Sequence, residues 1–484
     1  MDEIILAIIS EITKRSISYV LCKYSEITTA PTMEDKRLQD LQRLLLRTHI
    51  IVKEAEGRFI TNRAMLHLLN IMRKEMYRGY FTLDSMRSQA SEGMDHDVSH
   101  SFAPPKFNRS KRRIFSPDGA YRNNELQKVI QNLSNIVADA KEFCMFLKNY
   151  PPLYRQPYDM HMFIGKCMFG RQMEVDRIMD FLMREEHLSM TRVGVLPIIG
   201  PGYVGKSTLV AHVCNDARVR HHFSEIIVVN GDGIDDKNLS SLKDRCDIKH
   251  QNNALGGKKR MLAVIEFPEN IDKVTWNNFY LPFVGCLVSG SKIIITSSSD
   301  RIKKFGTTQA LILNFLPIEA FWYFFKVLTF GSADSNDYPE LQSTAMAMAR
   351  EMGGSFIAAN FISAILRRNF SVQHWGWCLA AFKENIKRNV SVFGEHPYDL
   401  LQKQKHARYQ INEDEYMVSD QYHASRPSGD NIPTITMYDI VSGNVNCKGT
   451  FEVLAWKSPI LPYKSYTISC MIQKEQPIKR MRSA

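Results

Sequence analysis

The chain of 484 residues has no cysteine pairing on which a fold could be organised. Its nine cysteines are odd in number, scattered from Cys22 to Cys470, and contain no CxxC. A disulfide framework or a zinc site is therefore not indicated, and a reduced cytosol is the expected setting. No run approaches the roughly 18 consecutive apolar residues of a membrane span. The acidic start Met1-Asp2-Glu3 lacks the basic region of a secretory signal. Gly-x-Ser-x-Gly and Cys/His constellations are missing, so hydrolysis through a side-chain nucleophile has no support. There is no internal repeat, and the leucine-rich period in particular is absent.

Charge of one sign is in mild excess, 62 Lys+Arg against 51 Asp+Glu, for a net charge of +11 and a pI near 9.1. Such a surface can favour nucleic acid or anionic lipid. Only three short clusters concentrate it, at 109–113, 258–260 and 479–482, and no zinc-finger or aromatic–basic RNA-binding signature accompanies them. They read as solvated loops, so the case for a nucleic-acid partner is weak. His221-His222, with His212 upstream, lacks a Cys or carboxylate at a ligand spacing and reads as a solvated turn rather than a metal site.

What the chain does have is one stretch with a chemical purpose. An apolar run from Val193 to Ile199 leads into Gly200-Pro201-Gly202-Tyr203-Val204-Gly205-Lys206-Ser207, and a helical period (Leu209, Val210, Val213) follows. This is the strand, glycine loop and helix of a P-loop. Small residues let successive backbone N–H groups turn inward around phosphate oxygens, and the helix N-terminus adds partial positive charge. Gly200, Gly202, Val204, Gly205 and Thr208 belong to this cradle. Lys206 would neutralise the β/γ-phosphates of a nucleotide, and the Ser207 hydroxyl would sit on Mg²⁺.

The rest of the chain divides around that loop. Apolar residues at helical spacing mark four segments: Ile5 to Ile12, Leu38 to Ala55, Met65 to Leu83 with Asn62 as a cap, and Asn124 to Leu147. They predict an antiparallel four-helix bundle over 1–149, interrupted by a polar loop at about 85–123 that is expected to be disordered. A Pro-rich linker follows at 150–162. Over 163–316, a helix at Glu174–Met183 and apolar runs at Ile226–Asn230, Met261–Glu266, Lys292–Thr296 and Ala310–Leu313 predict a parallel α/β sheet, with ligand at the carboxyl ends of the strands. Residues 317–388 turn helical, at Glu319–Phe330, Leu341–Met352 and Phe356–Leu366. The tail 389–484 reads as β-like, with strands at Thr434–Ile440, Phe451–Trp456 and Ser465–Ile472. The fold class is thus multidomain, α plus α/β.

From Phe169-Gly170-Arg171-Gln172 through the P-loop, the residues resemble the NB-ARC ATPase of plant intracellular immune receptors. Arg218-Val219-Arg220-His221-His222-Phe223, the strand Gly290 to Thr296, and Leu313-Asn314-Phe315-Leu316 with Ala320 to Phe325 are similar to later blocks of that family, in the right order. The N-terminal bundle is similar to the coiled-coil domain that precedes NB-ARC in many such receptors, and the likeness covers roughly 1–370. It implies ADP held by the P-loop, with Phe169-Gly170-Arg171 against the adenine, Thr296 ending the sensor strand, and Glu266 as a weak candidate for the acid beside Mg²⁺. It also implies protein partners for the bundle: a second copy, a full-length receptor or a guarded protein. The implied location is cytoplasmic, with the plasma-membrane periphery and the nucleus as alternatives.

Departures from the pattern qualify what is carried over. Tyr203 stands where the family usually has glycine, and a positive φ there is costly for tyrosine. The usual acidic pair is Glu266-Phe267, and Phe267 cannot polarise water. The arginine after the sensor strand is Ser298. The Gly-Leu-Pro-Leu turn reads Gly354-Ser355-Phe356-Ile357, the winged-helix Met-His-Asp motif has no counterpart, and the acidic motif of the third bundle helix reads Glu75-Met76-Tyr77-Arg78-Gly79-Tyr80. Phosphoryl transfer needs a positioned water and charge stabilisation at the γ-phosphate, so nucleotide binding with little or no hydrolysis is expected. The alternatives are a cycling ATPase switch, a nucleotide-free scaffold or decoy acting through its coiled-coil domain, and a nucleic-acid binder whose affinity falls steeply with salt.

Overall fold

The structure, a computed structural model, describes residues 33–58, 60–92, 119–151, 168–184, 193–230, 247–251, 260–267, 273–274, 276–277, 280–281, 290–403, 405–411, 414–419, 433–443, 449–458 and 465–473. Three helices open it: α1 (Met33–Glu56), α2 (Arg63–Glu92) and α3 (Gly119–Leu147). Their apolar stripes, among them Leu41, Leu45 and Val52 on α1, Leu69, Met72 and Met76 on α2, and Val129, Leu133 and Phe143 on α3, are buried against one another. Asn62 caps α2, its Oδ1 accepting the Ala64 N–H at 2.8 Å. The helix expected near Ile5–Ile12 lies outside the described residues, so the bundle has three helices among those described.

The expected disordered loop at about 85–123 is corrected at both ends. Residues 85–92 continue α2 and 119–123 begin α3, while 93–118 lie outside the described residues. The reason is tertiary. Asp84 and Ser88 are buried, and Asp84 accepts the Trp322 indole N–H at 2.8 Å and the Lys326 ammonium at 2.6 Å. Within the stretch itself Ser85 reaches the Met346 sulfur at 3.5 Å and Arg87 donates to Asn336, so its polar groups find partners in the next unit. Of the expected linker, Tyr150 and Pro151 are described, and the Tyr150 carbonyl accepts from Arg58 at 3.0 Å.

The α/β unit contains α4 (Gln172–Met183), β1 (Gly194–Ile199), α5 (Lys206–Cys214), α6 (Ala217–His222), β2 (Glu225–Asn230), β3 (Asp247–Gln251), β4 (Met261–Glu266), β5 (Lys292–Ser297) and β6 (Leu311–Ile312). The sheet order is β3-β2-β4-β5-β1-β6. All neighbours are parallel except β3, which pairs antiparallel with β2. Every residue of β1 and β5 is buried, which is why their sequences are continuous apolar runs rather than alternating ones. Strand β3 was missed because Asp247-Ile248-Lys249-His250-Gln251 is polar, as an edge strand can be. β6 is two residues long, not the four of Ala310–Leu313.

Four helices follow: α7 (Ile318–Phe330), α8 (Pro339–Glu351), α9 (Phe356–Arg368) and α10 (Val372–Phe393). Helix α7 is apolar all round because it lies between α2 on one side and α8 and α9 on the other, and Phe321, Trp322, Phe324 and Phe325 are all buried. Ser355 caps α9 by accepting the Ala358 N–H at 3.2 Å. The boundary expected at 388/389 falls inside α10, which ends at Phe393 with Gly394 in the left-handed region at φ 71°.

The last unit is α11 (Pro397–Gln402), β7 (Ala407–Ile411), β8 (Asp414–Ser419), α12 (Met437–Val441), β9 (Thr450–Lys457) and β10 (Ser465–Gln473). The strands form an antiparallel sheet in the order β7-β8-β10-β9. Strands β9 and β10 coincide with two of the expected runs. The third, Thr434–Ile440, is instead the start of a helix. Thr436 and Asp439 form a reciprocal capping box, and that local pattern outranks the β-branched composition. Helix α10 closes the open edge of β7: Asn385 exchanges two hydrogen bonds with the Gln410 backbone, and Asn389 does the same with Arg408.

Candidate functional site

Strand β1 delivers the chain to Gly200, whose N–H donates to the Ser297 carbonyl at 3.3 Å. A Cβ at Gly200 would lie 2.5 Å from the Leu313 carbonyl oxygen, so glycine is the residue this approach admits. Gly205 caps α5 at φ 93°, and a Cβ there would meet nothing within 4 Å. Its requirement is conformational rather than steric. Val204 is buried beneath the loop, and Lys206, Ser207 and Thr208 are half-buried on the first turn of α5. The Lys206 ammonium donates to the carbonyls of Gly200 at 2.7 Å and Pro201 at 2.8 Å. Burial lowers its pKa to about 8, opposed by the charge of nearby Glu266.

The strand register aligns the other predicted groups with this loop. Glu266, the last residue of β4, is level with Thr296 on β5, and Thr296 is level with Ile198 on β1. These positions share the carboxyl end of the sheet with Lys206. Thr296 is buried. Phe267 is turned away into the core, its ring 6.3 Å from Trp276 and its N–H donating to the Thr296 carbonyl at 2.8 Å. Ser298 is exposed just after β5. A cleft of about 1870 Å³ opens at the opposite, amino ends of β1 and β5, lined by Gly194 and Lys292. Size does not decide here, because the glycine loop and its lysine are at the other end.

Phe169-Gly170-Arg171 adjoins the loop through Arg171. That side chain is buried, donates to the carbonyls of Asn314 at 2.7 Å and Val204 at 3.4 Å, and pairs with Glu174 at 3.2 Å. Gly170 is at φ 70°, where a Cβ would press on Leu316 at 2.9 Å. The Phe169 ring is buried among Tyr77 of α2 and Tyr323 and Phe324 of α7, with centroids 5.5, 6.2 and 5.3 Å away. The segment therefore ties the loop to the bundle as well.

The positive φ anticipated for position 203 is present: Tyr203, at φ 56°, is the non-glycine residue in the left-handed region among the described residues. Sequence reasoning missed what holds it. Its ring lies 5.4 Å from that of Tyr398 on α11 and 5.8 Å from that of Tyr466 on β10, and the Tyr398 hydroxyl donates to the Gly202 carbonyl at 3.0 Å. Neither tyrosine stands in a motif. The one local sign was His396-Pro397, a helix start with proline in its first turn.

Residues 171–335 match the family described as NB-ARC domain. The chain is 24% identical over 348 residues to disease resistance protein RGA2 of Solanum bulbocastanum, covering 68% of this chain and 34% of that protein. It is 22% identical over 388 residues to RGA1 of the same species, covering 75% and 38%, and 23% identical over 386 residues to RPP13-like protein 1 of Arabidopsis thaliana, covering 73% and 36%. The chain spans little more than a third of the length of these curated relatives. A solved structure of Drosophila ORC bound to DNA aligns over 53% of this chain and 82% of that one, at 13% identity and a TM-score of 0.32, too slight a likeness to build on. The chain thus carries an NB-ARC domain and is similar to plant disease-resistance proteins. Among the described residues no helix is long and apolar enough to cross a membrane.

Proposed function

We propose that this chain holds ADP or ATP with Mg²⁺ at the loop 200–208 and acts in plant defence as an immune-receptor-like protein with little ATP turnover. The observation that carries the reading is the loop itself: a buried strand, Gly205 in the left-handed region, and Lys206 placed on the loop carbonyls at the head of α5. Phosphate oxygens would give that partly desolvated ammonium a charged partner in place of neutral ones. The loop amides would bind the phosphates, Ser207 would reach Mg²⁺, and Glu266 would be the acid nearest them. Thr296 would support the loop from β5, and the Phe169–Arg171 segment would border the base. Phe267 in the core and exposed Ser298 stand where the family pattern has its water-polarising acid and its γ-phosphate arginine and can supply neither, which supports slow or absent hydrolysis. The helical bundle is the surface for protein partners: itself, a full-length receptor or a guarded protein.

A second reading, a nucleotide-free scaffold, is favoured by one observation: Tyr203, Tyr398 and Tyr466 crowd the loop from the C-terminal unit. Nucleotide content after acid release separates the two. Near-stoichiometric ADP in the native protein, lost in Lys206→Ala, is the expected result. Empty protein in both, with a thermal midpoint unmoved by ADP and Mg²⁺, would overturn the nucleotide reading in favour of the scaffold.

A further inference from the structure

A cavity of about 290 Å³ lies between the helices α8, α9 and α10 and the C-terminal sheet, with Tyr203 of the phosphate loop in its wall. Its volume is at the lower end of the range for small-molecule sites. Both walls are apolar. Phe361 and Ile386 face it from the helices, and Ile411 and Ala455 from the sheet, and all four are only half-buried. The two faces meet where Asn385 and Asn389 of α10 bond β7, and leave an apolar gap beside that seam.

We propose that this cavity is a binding site for a compact, uncharged, mainly apolar molecule that carries one hydrogen-bond acceptor, the chemistry of an aryl ketone. The polar side chains in the wall are largely engaged. Asn385 bonds the Gln410 backbone, Ser355 caps α9, His396 accepts the Tyr398 N–H at 3.2 Å, and Tyr398 donates to Gly202. Tyr409 also lines the cavity, and its phenol is the hydroxyl offered to a guest. Burial raises its pKa, so it stays a neutral donor. No lysine or arginine of the described residues lines the wall, and Glu351 keeps contact with water, which disfavours an anion. Cys378 is also in the wall, with its pKa pushed up to about 11 by burial, so it remains a thiol and capture is non-covalent. Met348, Met352 and Met437 are flexible enough to follow the outline of the guest. Dry apolar cavities of smaller volume take up benzene-sized molecules. Contact of the guest with Tyr203 would carry occupancy to the phosphate loop, yet binding does not depend on nucleotide.

Benzophenone tests this directly, because it has the right size, one carbonyl acceptor, and inserts into nearby C–H bonds under near-ultraviolet light. Irradiated with the full chain, it should label saturably at one equivalent, with adducts on peptides containing Met348, Met352, Ile386 or Met437. Ala381→Trp and Ala455→Leu fill the cavity from opposite walls and should each weaken labelling at least tenfold, with circular dichroism confirming a folded chain. Tyr409→Phe should weaken benzophenone a few-fold while leaving competition by diphenylmethane, which lacks the carbonyl, unchanged. Non-saturable labelling, adducts confined to other segments, or undiminished affinity in a folded filling variant would overturn the site. If neither filling variant folds, the adduct map of the native protein decides alone. Labelling is read with and without ADP and beside Lys206→Ala, so loss of nucleotide and loss of the cavity site are separate results.

Discussion

Replacing Asp84 or Lys326 tests whether the helical bundle and the helices after the sheet are joined by a buried charge. Asp84 on α2 is 1% exposed, Trp322 is fully buried, and the Lys326 side chain is 13% exposed. The carboxylate accepts the indole N–H at 2.8 Å and the ammonium at 2.6 Å, and Lys326 also lies over the Tyr80 ring at 5.1 Å. Breaking a buried pair by removing one partner costs about 3–5 kcal/mol, because the other charge is left uncompensated. Asp84→Leu should fall at the lower end of that range, since Lys326 retains some access to water. Lys326→Met should fall at the upper end, since Asp84 has none. The double variant strands only the indole N–H, at about 1–3 kcal/mol. Its loss should therefore be smaller than the sum of the single losses by about 3 kcal/mol or more. Urea unfolding followed by tryptophan emission reads all three, on the transition that Trp322→Phe identifies. Additivity within about 0.5 kcal/mol, the behaviour of independent sites, would refute the coupling.

Burial holds Lys206 at about 8, below the 10.5 of a free lysine. The unfolded chain thus binds more protons between those values, and this group's contribution to stability rises with pH across that window and is lowest below pH 8. Bound phosphate should raise the pKa again, so ADP binding at pH 8.5 should take up protons. Calorimetry in two buffers of different ionisation enthalpy measures this, and ADP binding at pH 8.5 with no proton uptake would refute it. His49, lowered to about 4 by burial and by Lys53 and Lys326, acts in the acid range. Its contribution is complete above pH 6.5 and is lost as pH falls toward 4, so His49→Gln should flatten the dependence of the urea midpoint on pH there. An unchanged slope would count against it. Asn389→Leu leaves the Arg408 N–H and carbonyl of β7 without their partners and should destabilise the C-terminal sheet by about 1–3 kcal/mol. Amide exchange at Arg408 should quicken at least tenfold, and unaltered protection would show that α10 does not hold that edge.

What was legible in the sequence was local. The P-loop could be read because its strand, glycines and lysine are contiguous, and β1, β4 and β5 because burial on both faces leaves an unbroken apolar run. Where partners lie far away in the chain, reading failed. Residues 85–92 look like loop until Met346 and Asn336 are placed beside Ser85 and Arg87, and β3 looks like nothing until it pairs with β2. Thr434–Ile440 differs, since the Thr436/Asp439 capping box that starts the helix is local and stands within four residues of sequence. At the site, the strain at Tyr203 could be foreseen from the glycine it replaces. Its compensation could not, because Tyr398 and Tyr466 reach it only through the folded C-terminal unit.

That compensation bears on how the two functional readings relate. A left-handed backbone costs a non-glycine residue about 1–2 kcal/mol. Against this stand two aromatic contacts of about 0.5–1.5 kcal/mol each and the Tyr398 hydrogen bond, of similar net size. The contacts match or outweigh the strain, so the shape of the loop depends on the C-terminal unit staying docked. Yet Tyr398 engages the Gly202 carbonyl, and Lys206 engages the carbonyls of Gly200 and Pro201. Phosphate is bound by the N–H side of the same peptides. Docking uses the carbonyl ends of the loop's peptides, whereas phosphate would use the N–H ends, and Lys206 would then turn from carbonyl to phosphate. The tyrosine cluster therefore sets the shape of the loop without competing for the groups that would hold ADP.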